Sequence, residues 1–204
     1  MSHFEFSLPT VLTFGNGALS EIGRVSKKYG NRALIITNSS SLSDTGIIDE
    51  TIKNLHESNM NATVFDDVKG DSDSNLADLA ANVARHGKAD VIIAVGGFKT
   101  QNIGKAAATV AANGGEASDY VNGQRIVSPA MPLITVPTIP GSLSELTNEY
   151  CVLDKYDRTN KEVFSAHVHA RECIIDPKLH LTVPVKYLAT SAISIFAYAF
   201  EFFI

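Results

Sequence analysis

The run Ala89-Asp-Val-Ile-Ile-Ala-Val95, which breaks directly into Gly96-Gly97, limits this chain more than any other feature. A strand apolar on both alternating faces must be covered on both sides, as in a parallel sheet with helices packed above and below. Ala33-Leu-Ile-Ile-Thr37, Ala62-Thr-Val-Phe65 and Pro132-Leu-Ile-Thr-Val136 share this character. Between them the apolar spacing turns helical, with Ile48, Ile52 and Leu55 on one face and Leu76, Leu79, Ala80 and Val83 on another. An alanine-rich stretch from Asn102 to Ala112 then stops at Asn113-Gly114-Gly115. Strand and helix in alternation predict an α/β fold, a Rossmann-like and mostly parallel sheet.

The two ends read differently. Phe4 to Phe14 alternates in the manner of an edge hairpin. Leu188 to Ile204 is apolar apart from Thr190, Ser191, Ser194 and Glu201. These 17 residues with an internal glutamate are short for a bilayer span, so a buried core helix is expected.

Charge narrows the partners. With 17 Lys and Arg against 22 Asp and Glu, the chain has no basic excess to neutralise phosphates, so nucleic acid is not an expected partner. Nor is a membrane. Cys151 and Cys173 are too few for a disulfide framework and fit a reducing compartment. The first residues show neither a basic n-region nor an apolar h-region, so a cytoplasmic location is expected.

Ligands of open parallel sheets sit beyond the carboxyl ends of the strands. Two turns fall there. In Gly96-Gly97-Phe98-Lys99, glycines let a pyrophosphate approach the backbone, a helix N-terminus offers free N–H groups, and Lys99 adds a full charge. The same pair also suits a bare strand-to-helix turn. Pro137-Thr138-Ile139-Pro140-Gly141-Ser142-Leu143-Ser144-Glu145 carries hydroxyls for phosphate or ribose, or residues that cap the next helix.

Together and in this order, the motifs resemble the iron-containing (group III) alcohol dehydrogenase family, a relative of glycerol dehydrogenase and dehydroquinate synthase. Phe6 to Ala18 is similar to the family's usual start, and Ala33 to Thr37 to its first nucleotide-binding strand. Gly96 to Lys105 resembles GGGSxxDxAK, and Pro137 to Thr147 resembles PTTAGTGSEVT. Val152-Leu-Asp154, Lys161, Ile174 to Leu179 and Pro184 follow in the expected places. The resemblance implies a dehydroquinate synthase-like nucleotide domain over 1–180. It further implies, over 181–204, the first helix of a truncated, all-helical metal-binding domain. The implied activity is NAD(P)-dependent oxidation of alcohols or reduction of aldehydes, with iron or zinc polarising the substrate oxygen. A homo-oligomer, or association through the apolar C-terminal helix, is expected as well.

Carried over residue by residue, the resemblance puts Asn38, Gly96, Gly97, Lys99, Asn102, Thr138, Ser142 and Lys161 at a NAD or NADP site. Asn38 stands where an aspartate would favour NAD, and its amide can bond a ribose hydroxyl without repelling a 2′-phosphate. Phe98 and Lys99 replace a glycine and a serine, Asn102 an aspartate and Ile139 a threonine. The family's metal-binding Asp and His fall on Ser194 and Tyr198. These lie at i and i+4 on one helix face, the right spacing for two ligands. A neutral hydroxyl and a phenol are nonetheless poor ligands for a divalent ion. His167 and His169 lie upstream and read as solvent-facing. No catalytic residue is assigned, and the expectation is a family oxidoreductase of doubtful activity. The alternative is a non-catalytic nucleotide-binding or subunit-interaction relative without a metal site.

Overall fold

The computed structural model describes residues 3, 7–38, 42–70 and 73–203. Six strands form one parallel sheet: β1 (Val11–Phe14), β2 (Arg32–Thr37), β3 (Asn61–Phe65), β4 (Val91–Gly96), β5 (Leu133–Pro137) and β8 (Glu172–Ile175). Their order is β1-β8-β5-β4-β2-β3. A separate antiparallel hairpin, β6 (Glu149–Leu153) with β7 (Asn160–Phe164), follows β5. The helices are α1 (Ile22–Ser26), α2 (Ile47–Glu57), α3 (Ser74–His86), α4 (Phe98–Asn113), α5 (Ala117–Val121), α6 (Pro177–His180) and α7 (Val185–Phe203).

The two-sided apolarity of the central strands produces two cores. Leu34, Ile36, Ile92, Ala94 and Leu133 point to one face and pack with the alanines of α3 and α4. Ala33, Ile35, Val91, Ile93, Val95, Ile134 and Val136 point to the other and pack with Ile22, Ile47 and Leu55 of α1 and α2. Every residue of β4 and β5 is buried, which is the condition the continuous apolar runs require. Gly104 lets α4 close on β4: a Cβ there would lie 2.8 Å from that of Ala94.

Three expectations are corrected. Among the described residues no edge hairpin forms: Val11–Phe14 is a strand in parallel register with β8, and residues 4–6 lie outside the described residues. No helix follows the second turn for its hydroxyls to cap, because the chain passes into β6. The apolar C-terminal segment is a helix, as expected, but it is not buried. Ile193 and Phe196 are each 71% exposed, and among the helix's described residues only Leu188, Ser191 and Ser194 on its inner side are partly covered. Its contact with the body includes Ile195 beside Gly141. No helix among the described residues is long and apolar enough to cross a membrane.

Candidate functional site

Chain connectivity puts β2 and β3 on one side of β4 and sends β5 to the other, so the strand order reverses between β2 and β4. A cleft of about 590 Å³ opens at the carboxyl ends of these strands, where open α/β sheets bind their ligands. Asn38 after β2, Gly96, Gly97, Phe98, Lys99 and Thr100 after β4, and Thr138 and Ile139 after β5 line it. Leu42 and the segment Thr182–Pro184 with Tyr187 close the rest. Lys99 is the one charged residue among these described lining residues.

The turn after β4 is tight for steric reasons. A Cβ on Gly96 would sit 2.5 Å from Thr100 Oγ1, and one on Gly97 would sit 3.1 Å from Ile139 Cδ1. Gly97 caps α4 with no side-chain hydrogen bond, so the first N–H groups of that helix keep no side-chain partner at the cap. α4 therefore starts four residues before the predicted Asn102, with Phe98 half-exposed at its first position. The Lys99 ammonium donates to the Gly70 carbonyl at 2.5 Å. The turns after β4 and β5 are joined by Thr138 N–H donating to Gly96 O at 3.1 Å. His180 Nδ1–H donates to Thr138 O at 2.9 Å, holding the second turn from the far side.

The structure thus brings together Asn38, Gly96, Gly97, Lys99 and Thr138. The other three expected site residues lie elsewhere, each with its own partners. Asn102 is buried in α4; its Oδ1 accepts the Cys151 N–H at 2.8 Å and its Nδ2 donates to Phe98 O, so it braces helix to hairpin. Ser142 Oγ donates to Glu145 Oε2 at 2.6 Å and is not among the lining residues. Lys161, on β7, pairs with Asp154 at 2.9 Å and Asp157 at 2.5 Å and donates to Asn122. Asp154 is almost fully buried there, and Lys161 and Asn122 hold its carboxyl well below the usual carboxylate range.

Sequence reasoning passed over Ile139, Thr182, Tyr187 and His180. The last three follow a proline turn after β8, and only the folded chain shows that this segment returns to the cleft. His167 and His169 are both half-buried rather than solvent-facing, and burial pushes the His169 imidazole down. Lys105 is fully buried; its ammonium donates to Thr147 O and Glu149 O at 2.7 and 2.8 Å, and desolvation lowers its pKa to about 8. A second cavity, of 600 Å³, lies beside β7. Its charged residues, Arg125 and Glu162, have opposite signs, and it shares no lining residue with the cleft.

The donor set does not fit a divalent metal. Ser194 Oγ donates to Thr190 O at 3.2 Å, and Tyr198 is 44% exposed on α7. Among the described residues no group of three or more His, Cys, Asp or Glu is placed to hold an ion.

The family model for iron-containing alcohol dehydrogenases matches residues 9–177, most of the chain. The chain belongs to the iron-containing alcohol dehydrogenase family. Among its curated family relatives, the NAD-dependent methanol dehydrogenase of Bacillus methanolicus is 25% identical over 98% of this chain and 52% of its own length. The 1,3-propanediol dehydrogenase of Citrobacter freundii is 30% identical over the same shares. The crystal structure of sulfoacetaldehyde reductase from Bifidobacterium kashiwanohense in complex with NAD+ superposes with a TM-score of 0.87. At 23% identity, over 95% of this chain and 51% of that one, it shows the fold. The chain spans about half the length of the curated relatives it matches.

Proposed function

We propose that this chain is a nucleotide-binding unit of the alcohol dehydrogenase type whose cleft takes NAD or NADP, and that it does not itself assemble the metal centre of its family. The observation that carries the reading is the cleft: a capless helix N-terminus, two glycines and one lysine at the strand-order reversal, with no carboxylate among the described lining residues. Gly96 and Gly97 leave room for a phosphate at the first turn of α4. Lys99 supplies a compensating positive charge, and Thr138 and Asn38 offer hydrogen bonds to ribose hydroxyls. Asn38 carries no charge to repel a 2′-phosphate, so both cofactors are accepted. Phe98, Ile139, Pro184 and Tyr187 give the cleft an apolar side. A bound nicotinamide supplies the hydride chemistry of alcohol oxidation or aldehyde reduction.

The metal is a different matter. Ser194 and Tyr198 present a hydroxyl and a phenol where a carboxylate and an imidazole would be needed, so no step is assigned to a metal here. Assays of short alcohols and diols with NAD and NADP, each with added Fe²⁺ or Zn²⁺, test this half of the proposal. No turnover is expected from this chain alone, and metal-dependent turnover would refute it. A second reading, subunit association, is favoured by one observation: the exposed apolar residues of α7, among them Ile193, Phe196 and Phe203.

A further inference from the structure

The Gly96-Gly97 turn has no side chain of its own to fix its peptide, yet the cleft depends on which way that peptide faces. Gln101, one turn into α4, is fully buried, and its Nε2 donates to Ala94 O at 3.1 Å and Gly96 O at 3.0 Å. The opposite amide orientation would turn Oε1 toward two carbonyl oxygens, which only accept, so the bonding partners decide the orientation. Gly96 O also accepts the Thr138 N–H. Both lone pairs of that carbonyl are therefore occupied, one by α4 and one by the turn after β5. No peptide bond among the described residues is cis, so the Gly97 N–H points away from this pair of donors. The cost of the arrangement is visible: Gln101 Oε1 is buried without a partner.

We propose that Gln101 is a positioning residue that sets the Gly96–Gly97 peptide for the nucleotide cleft and locks the turns after β4 and β5 to each other. The inference rests on the nucleotide-binding reading above, and its test separates the two. Gln101→Met keeps the length and removes both donors. Hydrogen–deuterium exchange by mass spectrometry, without ligand, is expected to rise in residues 94–100 and not in β2 or α2. NADH affinity, followed by fluorescence, is expected to weaken about tenfold, the scale of a lost buried hydrogen-bond pair. Asn113→Ala, which removes bonds to Ser128 and Thr109 at the far end of α4, controls for simple loosening of the helix. It should leave NADH affinity unchanged. If Gln101→Met does not fold, Gln101→Lys retains a donor within reach of both carbonyls and should bind NADH within about threefold of the wild type; a tenfold loss there overturns the role. Unchanged exchange in residues 94–100, or raised exchange with unchanged affinity, overturns the proposal. If the wild type binds no NADH, the nucleotide reading fails, and the exchange pattern alone still decides whether Gln101 holds the turn.

Discussion

Strand β4 and helix α7 are both written in nearly unbroken apolar residues, and they end in opposite surroundings. Ile92 and Ile93 of β4 have no exposed surface, whereas Ile193 and Phe196 of α7 are 71% exposed. Apolar composition states a need for cover; it does not say whether the same stretch of chain provides it. For β4 the cover comes from α1 to α4, because period-2 alternation sends side chains to both faces of a sheet that carries helices on each. For α7 the neighbours include the loop at Gly141, against Ile195, and the cleft that Tyr187 helps to line, and they leave its outer face bare.

The comparison breaks if equivalent truncations cost the same. Ile93→Ala should destabilise the chain by about 3 kcal/mol, since it leaves a cavity in a filled core. Ile193→Ala should stay within about 0.5 kcal/mol. Urea denaturation of both variants measures the difference.

The hairpin offers a smaller effect of a different kind. Asp154→Asn removes the charge that Lys161, Asn122 and Ser118 surround, and should cost about 2 kcal/mol. The carboxyl is held down in the fold, so the unfolded chain takes up its proton first as pH falls. The stabilisation is therefore present above about pH 4 and lost below it. An acid titration of stability should be flatter in the Asn variant.

Lys105 sharpens the contrast in the alkaline range. Its pKa is about 8 in the fold against an ordinary 10.5, so between those values the unfolded chain holds more protons. Stability should rise with pH across that window, and the burial cost should be fully present below pH 8. Lys105→Met should abolish that rise, as thermal unfolding at a series of pH values would show. At the far end of the scale, Ile193→Ser with Phe196→Ser should leave the melting temperature nearly unchanged and reduce self-association in sedimentation; a large drop in melting temperature would mean that the helix is packed in solution.

How much was legible follows from the same contrast. The runs that became β2, β4 and β5 could be read because burial on both faces leaves a signature in every residue. Gly96, Gly97, Lys99 and Thr138 sit in turns at strand ends, the resemblance adds Asn38, and the fold brings all five to the reversal point. The resemblance also puts Asn102, Ser142 and Lys161 at that site, and in the fold none of the three lines the cleft. Ser142 bonds Glu145 within its own turn, and Asn102 and Lys161 take their places from the β6–β7 hairpin, whose polar residues, Glu149, Asn160, Lys161 and Glu162, hide its strands. β1 was misread because alternation alone does not distinguish a hairpin arm from a parallel edge strand.

The central claim is that the cleft beyond β2, β4 and β5 binds a dinucleotide. Isothermal titration of the chain with NAD, NADP and ADP, without added metal, tests it most directly. The account predicts saturable binding of all three at one site, with NAD and NADP within about tenfold of each other because Asn38 repels neither. No saturable heat from any of them would contradict it.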